Sequence, residues 1–218
     1  MKRKIAVFIF AFIAAFTLAG CGGGNGYDRV ISEIRDVRLK GAAAGVTIDA
    51  CSGEREADYR VDGVSHDRKP FFILSVKGVG PGAKYSFDLE GKTYEGTLNK
   101  HPLSDEYIAS FDFKVKDPVT VSVEYAGKKT DVELSDAVPN AMDYGKTLAK
   151  AKKELDAQIK KNSKDGVFDG EVYLRLIPNP VDNDGKYYWY AAFCKSEDQC
   201  FSVLLDAESG DLIAKKTE

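Results

Sequence analysis

From about residue 30 to residue 134 the chain runs in short alternating stretches rich in Val, Ile, Tyr and Phe, punctuated by Gly, Pro and Asp at near-regular spacing. A period of two puts alternate side chains on one face of a strand, and no helical period of useful length occurs here. The clearest expected strands are 71–76, 85–89, 107–113 and 119–125, with Tyr85, Phe87 and Leu89 sharing a face. Glu90-Gly91 and Ala126-Gly127 have the composition of tight turns between neighbours. About eight strands of this kind predict an antiparallel β-sandwich over 28–138.

The pattern then changes. Pro139-Asn140 marks a linker and an expected helix start, after which Tyr144, Leu148, Ala151, Leu155 and Ile159 recur at steps of three and four. Lys146, Lys150, Lys153, Glu154 and Lys160 take the other faces, which makes the helix amphipathic, and 162–166 ends it. Strand-like runs follow at 171–177, 186–194, 200–206 and 212–214. The expected architecture is therefore mainly β with an α+β part: a sandwich at 28–138, then a helix-plus-antiparallel-meander module at 139–218.

Alternation within that meander assigns its faces. Trp189, Ala191, Phe193, Phe201, Val203 and Leu205, joined by Val172, Leu174 and Leu176, form the face the helix should cover. Tyr173, Arg175, Tyr188, Tyr190 and Leu204 then point the other way. Rigid amphipathic tyrosines are enriched at recognition surfaces, so these five residues are the expected binding face. The alternative is that they pack between the two modules. Cys194 and Cys200 bracket a polar loop and share the outward parity, which predicts a disulfide closing a short loop and contributing about 2 kcal/mol. Cys51 is left unpaired and is expected to be a small buried apolar residue.

The first 21 residues have a different pattern. Lys2, Arg3 and Lys4 precede a 14-residue apolar run, Ile5 to Leu18, and Leu18-Ala19-Gly20-Cys21 closes it with small residues before a cysteine. The run is shorter than the roughly 20 residues a membrane span needs, and Gly22 to Asn25 breaks its continuation. This segment resembles a bacterial lipoprotein signal peptide. The resemblance implies cleavage after Gly20, acylation of Cys21, a tether over 21–27, and a protein held by lipid on the extracytoplasmic side of the cell membrane. Three of the 31 basic residues lie in the leader, leaving 28 against 34 acids, a net charge of −6. A mildly acidic chain without a basic stripe excludes nucleic acid and anionic headgroups as partners, so membrane attachment rests on acyl chains.

The closing run Ser202 to Ile213, with Asp206-Ala207-Glu208-Ser209-Gly210 between two apolar strands, resembles the PepSY family over about Asp143 to Lys216. Its members occur in propeptides of secreted metalloproteases and as exported modules. The resemblance implies binding of protein or peptide, or modulation of an extracellular peptidase in trans, since no peptidase domain follows here. The earlier half resembles an immunoglobulin-like domain in pattern alone, without a Cys-Trp-Cys framework.

Catalytic patterns are thin. His66 and His101, the only histidines, sit in polar loop-like settings, with no nucleophile elbow, His-Glu-x-x-His helix or Cys-x-x-Cys pair. A hydrolase would need an unforeseen cleft gathering one of them with acids. Lys77 to Gly82 contains proline without a following helix and reads as a strand connection rather than a phosphate loop. Pro180 to Gly185 lacks the acidic first ligand and twelfth-position Glu of a calcium loop, so Asn183-Asp184-Gly185 is expected to be a hairpin turn. The expectation is a non-enzymatic binding lipoprotein without cofactors. A passive surface or glycan-binding adhesion role is the alternative.

Overall fold

The computed structural model describes residues 26–57, 60–182 and 184–217. Strands hold 55% of the residues and helices 11%, so the chain is mainly β with a small helical layer, as the alternation predicts. A 3-10 turn, Asp28–Val30, leads into β1 (Ile31–Ala43), β2 (Val46–Glu56), β3 (Arg68–Lys77), β4 (Lys84–Leu89), β5 (Lys92–Thr97), β6 (Asn99–Lys100), β7 (Tyr107–Phe111), β8 (Val119–Tyr125) and β9 (Lys128–Asp136). Then come α1 (Tyr144–Glu154), α2 (Asp156–Lys161) and a small hairpin of β10 (Ser163–Lys164) and β11 (Val167–Phe168). The chain closes with β12 (Glu171–Pro178), β13 (Tyr187–Ser196), β14 (Gln199–Asp206) and β15 (Leu212–Lys216). The four strands expected in the first half all form; β7 stops at Phe111, two residues early.

Turn chemistry sets the hairpins. Glu90 and Gly91 have φ of 51° and 77°, and Ala126 and Gly127 have 53° and 74°. Two successive left-handed residues give the turn whose twist matches flanking strands, and glycine at the second position lowers its cost. Ala44-Gly45 closes β1 onto β2 in the same way.

Strands β1, β2, β3 and β7 share a dry core with β4, β8 and β9, built from Leu39, Ile48, Phe72, Leu74, Val121 and Leu134 among others. A second core lies where α1 and α2 cover the meander: Leu148, Ala151, Leu155 and Ile159 meet Leu174, Trp189, Phe193 and Val203. Every residue assigned by parity to the helix-facing side belongs to this second core.

One strand connects the two cores. Along one edge β1 first pairs in parallel with β12, Ile31 opposite Val172 and Ile34 opposite Leu174, and then antiparallel with β9, Leu39 opposite Asp136. The change coincides with a bulge against β2 between Ile34 and Val37. An extra residue shifts the alternation by one, so that Ile34 and Leu39, five positions apart, point to the same side of the sheet, Ile34 into the helix-covered core and Leu39 into the other. The strand order is consequently continuous, β15-β14-β13-β12-β1-β2-β3-β7-β6.

Three expectations need correction. The helix begins not at Pro139-Asn140 but at Tyr144, because the Asp143 carboxylate accepts from the backbone N–H groups of Gly145 (2.8 Å) and Lys146 (3.4 Å) and caps it there. It is interrupted at Leu155, although the buried stripe runs through both segments. Tyr27 does not belong to a tether: it is 4% exposed in the second core, with the Lys152 ammonium 3.7 Å from its ring centroid. The leader, Cys21 and Asn183 lie outside the described residues. No helix among the described residues is long and apolar enough to cross a membrane.

Candidate functional site

The outward side of the meander is formed by Tyr173, Arg175 and Ile177 of β12, Tyr188, Tyr190, Ala192 and Cys194 of β13, and Ser202 and Leu204 of β14, as register and parity require. Cys194 and Cys200 stand opposite each other in that register and are joined as a disulfide. The face is not uniformly open.

Its half near the disulfide is covered by a strap, residues 60–66, from the connection between β2 and β3. Val61 packs with Tyr173, Ala192, Cys194 and Tyr190. The Tyr173 hydroxyl donates to the Arg60 carbonyl (3.2 Å) and to Glu171 (3.0 Å). Glu171, wholly buried, also accepts from the Ser32 hydroxyl (3.1 Å) and the Gly63 N–H (2.7 Å), and Glu56 accepts from the His66 N–H (2.5 Å). These bonds satisfy carboxylates that would otherwise be costly to bury. Burial, followed by the Glu171 charge, pushes the Tyr173 phenol well above its ordinary range and keeps it a donor. Gly63 rests against the Lys195 carbonyl, where an added Cβ would lie 2.3 Å from the oxygen. Beside the strap, the wholly buried Glu33 holds both Arg175 and Arg35, the latter at 2.6 Å.

The expected binding face is therefore reduced. Tyr173 has the predicted orientation but is 2% exposed, because the strap lies over it and takes its hydroxyl. Tyr188 is 9% exposed, between its cross-strand neighbours Ile177 and Asp206. Arg175, Tyr190 and Leu204 stay half-buried and accessible.

These three border what is left open, a groove of about 570 Å³ lined also by Ile177, Pro180, Ala214 and the last lysines. Its floor is mostly apolar; the charged residues lining it are Arg175, held by Glu33, Lys216 at outward parity, and Lys215, whose ammonium donates to the Glu154 carbonyl of α1. One wall is β15, which ends the sheet order: all five of its residues are exposed, with apolar Leu212 and Ile213 at 43% and 51%. The turn that delivers β15 is built by the Asp206-to-Gly210 motif. The Asp206 carboxylate accepts from the N–H groups of Glu208 (3.1 Å) and Ser209 (2.9 Å) and from the Ser209 hydroxyl (3.1 Å), and Gly210 has φ of 69°. Lys150 of α1 holds the same turn through the Ser209 carbonyl (2.7 Å).

His66 is exposed, and the half-buried His101 accepts at Nδ1 from the Leu103 N–H (3.2 Å). No group of three or more His, Cys, Asp and Glu side chains able to hold a metal occurs among the described residues. Cys51 is free and 7% exposed. The strap is the part of the site that sequence reasoning missed. Its residues carry no periodicity, and only the unexpected burial of Glu171, at outward parity on β12, would have signalled a cover. Compared with protein-family models, curated proteins and solved structures, the chain matches none.

Proposed function

We propose that this chain is an exported lipoprotein, acylated at Cys21 on the extracytoplasmic side of the membrane, and that it acts as a non-catalytic binding module for an extended peptide segment. The observation that carries the reading is β15, an exposed sheet-ending strand whose backbone can accept another strand, beside an apolar groove bordered by Lys216 and lined by no acidic residue. The fitting partner is an extended segment alternating apolar and acidic residues. Its apolar side chains lie over Tyr190, Leu204 and Ala214, and its carboxylates meet Lys216. The disulfide supports an oxidising compartment. The leader and the PepSY-like closing motif support export and peptide binding on sequence alone. Modulation of a secreted peptidase is the specific form of this function. Glycan adhesion is less well supported, because stacking needs exposed rings and Tyr173 and Tyr188 are buried.

The test is fluorescence anisotropy of two labelled peptides, one alternating Glu with Val and one alternating Lys with Val. The acidic peptide binds, and Leu204→Asp weakens it about tenfold or more. Equal binding of both peptides, or an unaffected Leu204→Asp variant, overturns the reading. Unchanged rates of every secreted peptidase from the same organism remove the peptidase version, and an unmodified Cys21 in the mass of the native protein removes the anchor.

A further inference from the structure

A second concavity, of about 650 Å³, lies on the outer surface of β1, β2, β3 and β7. One wall is the connection between β12 and β13, with Pro178, Lys186 and Tyr187; the opposite wall carries His101 and Glu106. The volume is within the range of small-molecule sites, roughly 300–1,000 Å³. The cavity is therefore assembled from segments of both halves of the chain, which β1 brings side by side.

Its charge runs against that of the protein. Arg35, Arg38, Lys40, Lys77 and Lys186 line it against Asp49, Glu106 and Asp182, an excess of two positive charges in a chain of net −3. Several of these cations are already engaged: Arg35 with Glu33, Lys77 with Glu106 (3.0 Å), and Lys186 with Asp184 (3.7 Å). Two features remain unanswered. Lys40 is exposed and makes no ion pair among the described residues. Arg38 is 9% exposed, binds Asp49 through Nη2 at 2.6 Å and shares a hydrogen bond with the Tyr187 side chain, but its buried Nε has no hydrogen-bond partner. A buried guanidinium N–H without an acceptor is costly, so an incoming oxygen at this point gains more than a surface contact would. Asp49 is itself paired with Arg38, and burial pushes its carboxyl up despite Arg38 and Lys40. Ile73, Ile108 and Tyr187 supply an apolar surface next to the charges.

We propose that this cavity binds a small organic acid, its carboxylate or phosphate oxygens received by Arg38 Nε and Lys40 and its apolar body lying on Ile73, Ile108 and Tyr187. The site is one of binding and not of covalent catalysis: Cys51 and His101 both line it, but among the described residues no hydrogen bond joins them.

The test follows the Arg38 Nε–H resonance of the full chain by NMR while benzoate, or inorganic phosphate, is titrated in. A saturable shift is expected. Benzoate distinguishes a carboxylate with an apolar body from phosphate alone, and a phosphate-only response narrows the class to phosphate esters. Lys40→Glu, a change at an exposed position that leaves the fold intact, weakens the response about tenfold, or about 1.4 kcal/mol. Absence of a saturable shift with either anion overturns the site, as does an unchanged affinity in Lys40→Glu, which would place the anion elsewhere.

Discussion

On β12, β13 and β14, residues one position apart have opposite surroundings. Leu174, Trp189 and Val203 are 0–1% exposed beneath α1 and α2, in a continuous apolar core. Arg175, Tyr190 and Leu204, their immediate neighbours in sequence, line an open groove, while Tyr173 and Cys194 on that same outward side are covered by the strap. The helix-covered face is closed by a segment whose own periodicity announces it. The outward face is closed in part by a strap without any period, held by hydrogen bonds to Glu171 and Glu56 with Val61 as its one apolar anchor on the sheet. Coverage by apolar area and coverage by polar bonds should therefore fail differently when perturbed.

The largest difference is expected from truncation on either side of β13 and β14. Trp189→Ala removes a ring that is 1% exposed and whose indole N–H has no partner, so its contribution is packing and apolar burial alone. The loss should be roughly 3–5 kcal/mol in urea denaturation. Leu204→Ala, on the groove, should cost about 1 kcal/mol or less, because half-exposed sites lose little area and leave no sealed cavity. Comparable losses would mean that the groove is as structurally committed as the core.

Legibility in the sequence follows the same division. Period-two alternation placed correctly every buried residue that β12 to β14 contribute to the helix-covered core, and the cysteine pair, and period 3.6 placed Leu148, Ala151, Leu155 and Ile159. It could not say what lies above an outward residue, because that depends on contacts such as Gly63 to Glu171, 108 positions apart. The double pairing of β1 was hidden for a related reason. Its only local sign is the phase break between Ile34 and the Val37, Leu39 alternation, which a bulge explains once it is seen. The cationic cavity combines residues of β1, β2 and β3 with Lys186 and Tyr187, and no single window of sequence contains it.

An intermediate effect is expected at the strap. Gly63 has φ of 81° and no room for a methyl group against the Lys195 carbonyl, so Gly63→Ala combines backbone strain with a steric clash. A left-handed non-glycine residue alone costs roughly 1–3 kcal/mol. The strap can respond by lifting, so the loss should be local. Amides of 60–66 should exchange faster by hydrogen–deuterium mass spectrometry, and Tyr173 should become accessible, while β13 and β14 keep their protection. Uniformly faster exchange would show that strap and sheet unfold together, and the contrast between the two kinds of cover would be lost.

The smallest effect concerns the turn that presents β15. Backbone donors, Ser209 N–H first, hold the Asp206 carboxyl below its ordinary 3.8. A carboxylate whose pKa is lower in the folded state adds stability above its unfolded pKa and loses it as pH falls through the folded value. That window begins near pH 4 and extends below it, and because the carboxylate is largely solvated the contribution is small. Asp206→Asn should therefore flatten the acid end of the urea-midpoint profile and leave the Trp189 side of the sheet unchanged. It should also loosen the turn between β14 and β15 and weaken capture of the acidic peptide at β15. If peptide binding were unaffected while the acid profile flattened, the edge strand would be set by its pairing with β14 and not by the Asp206-to-Gly210 turn.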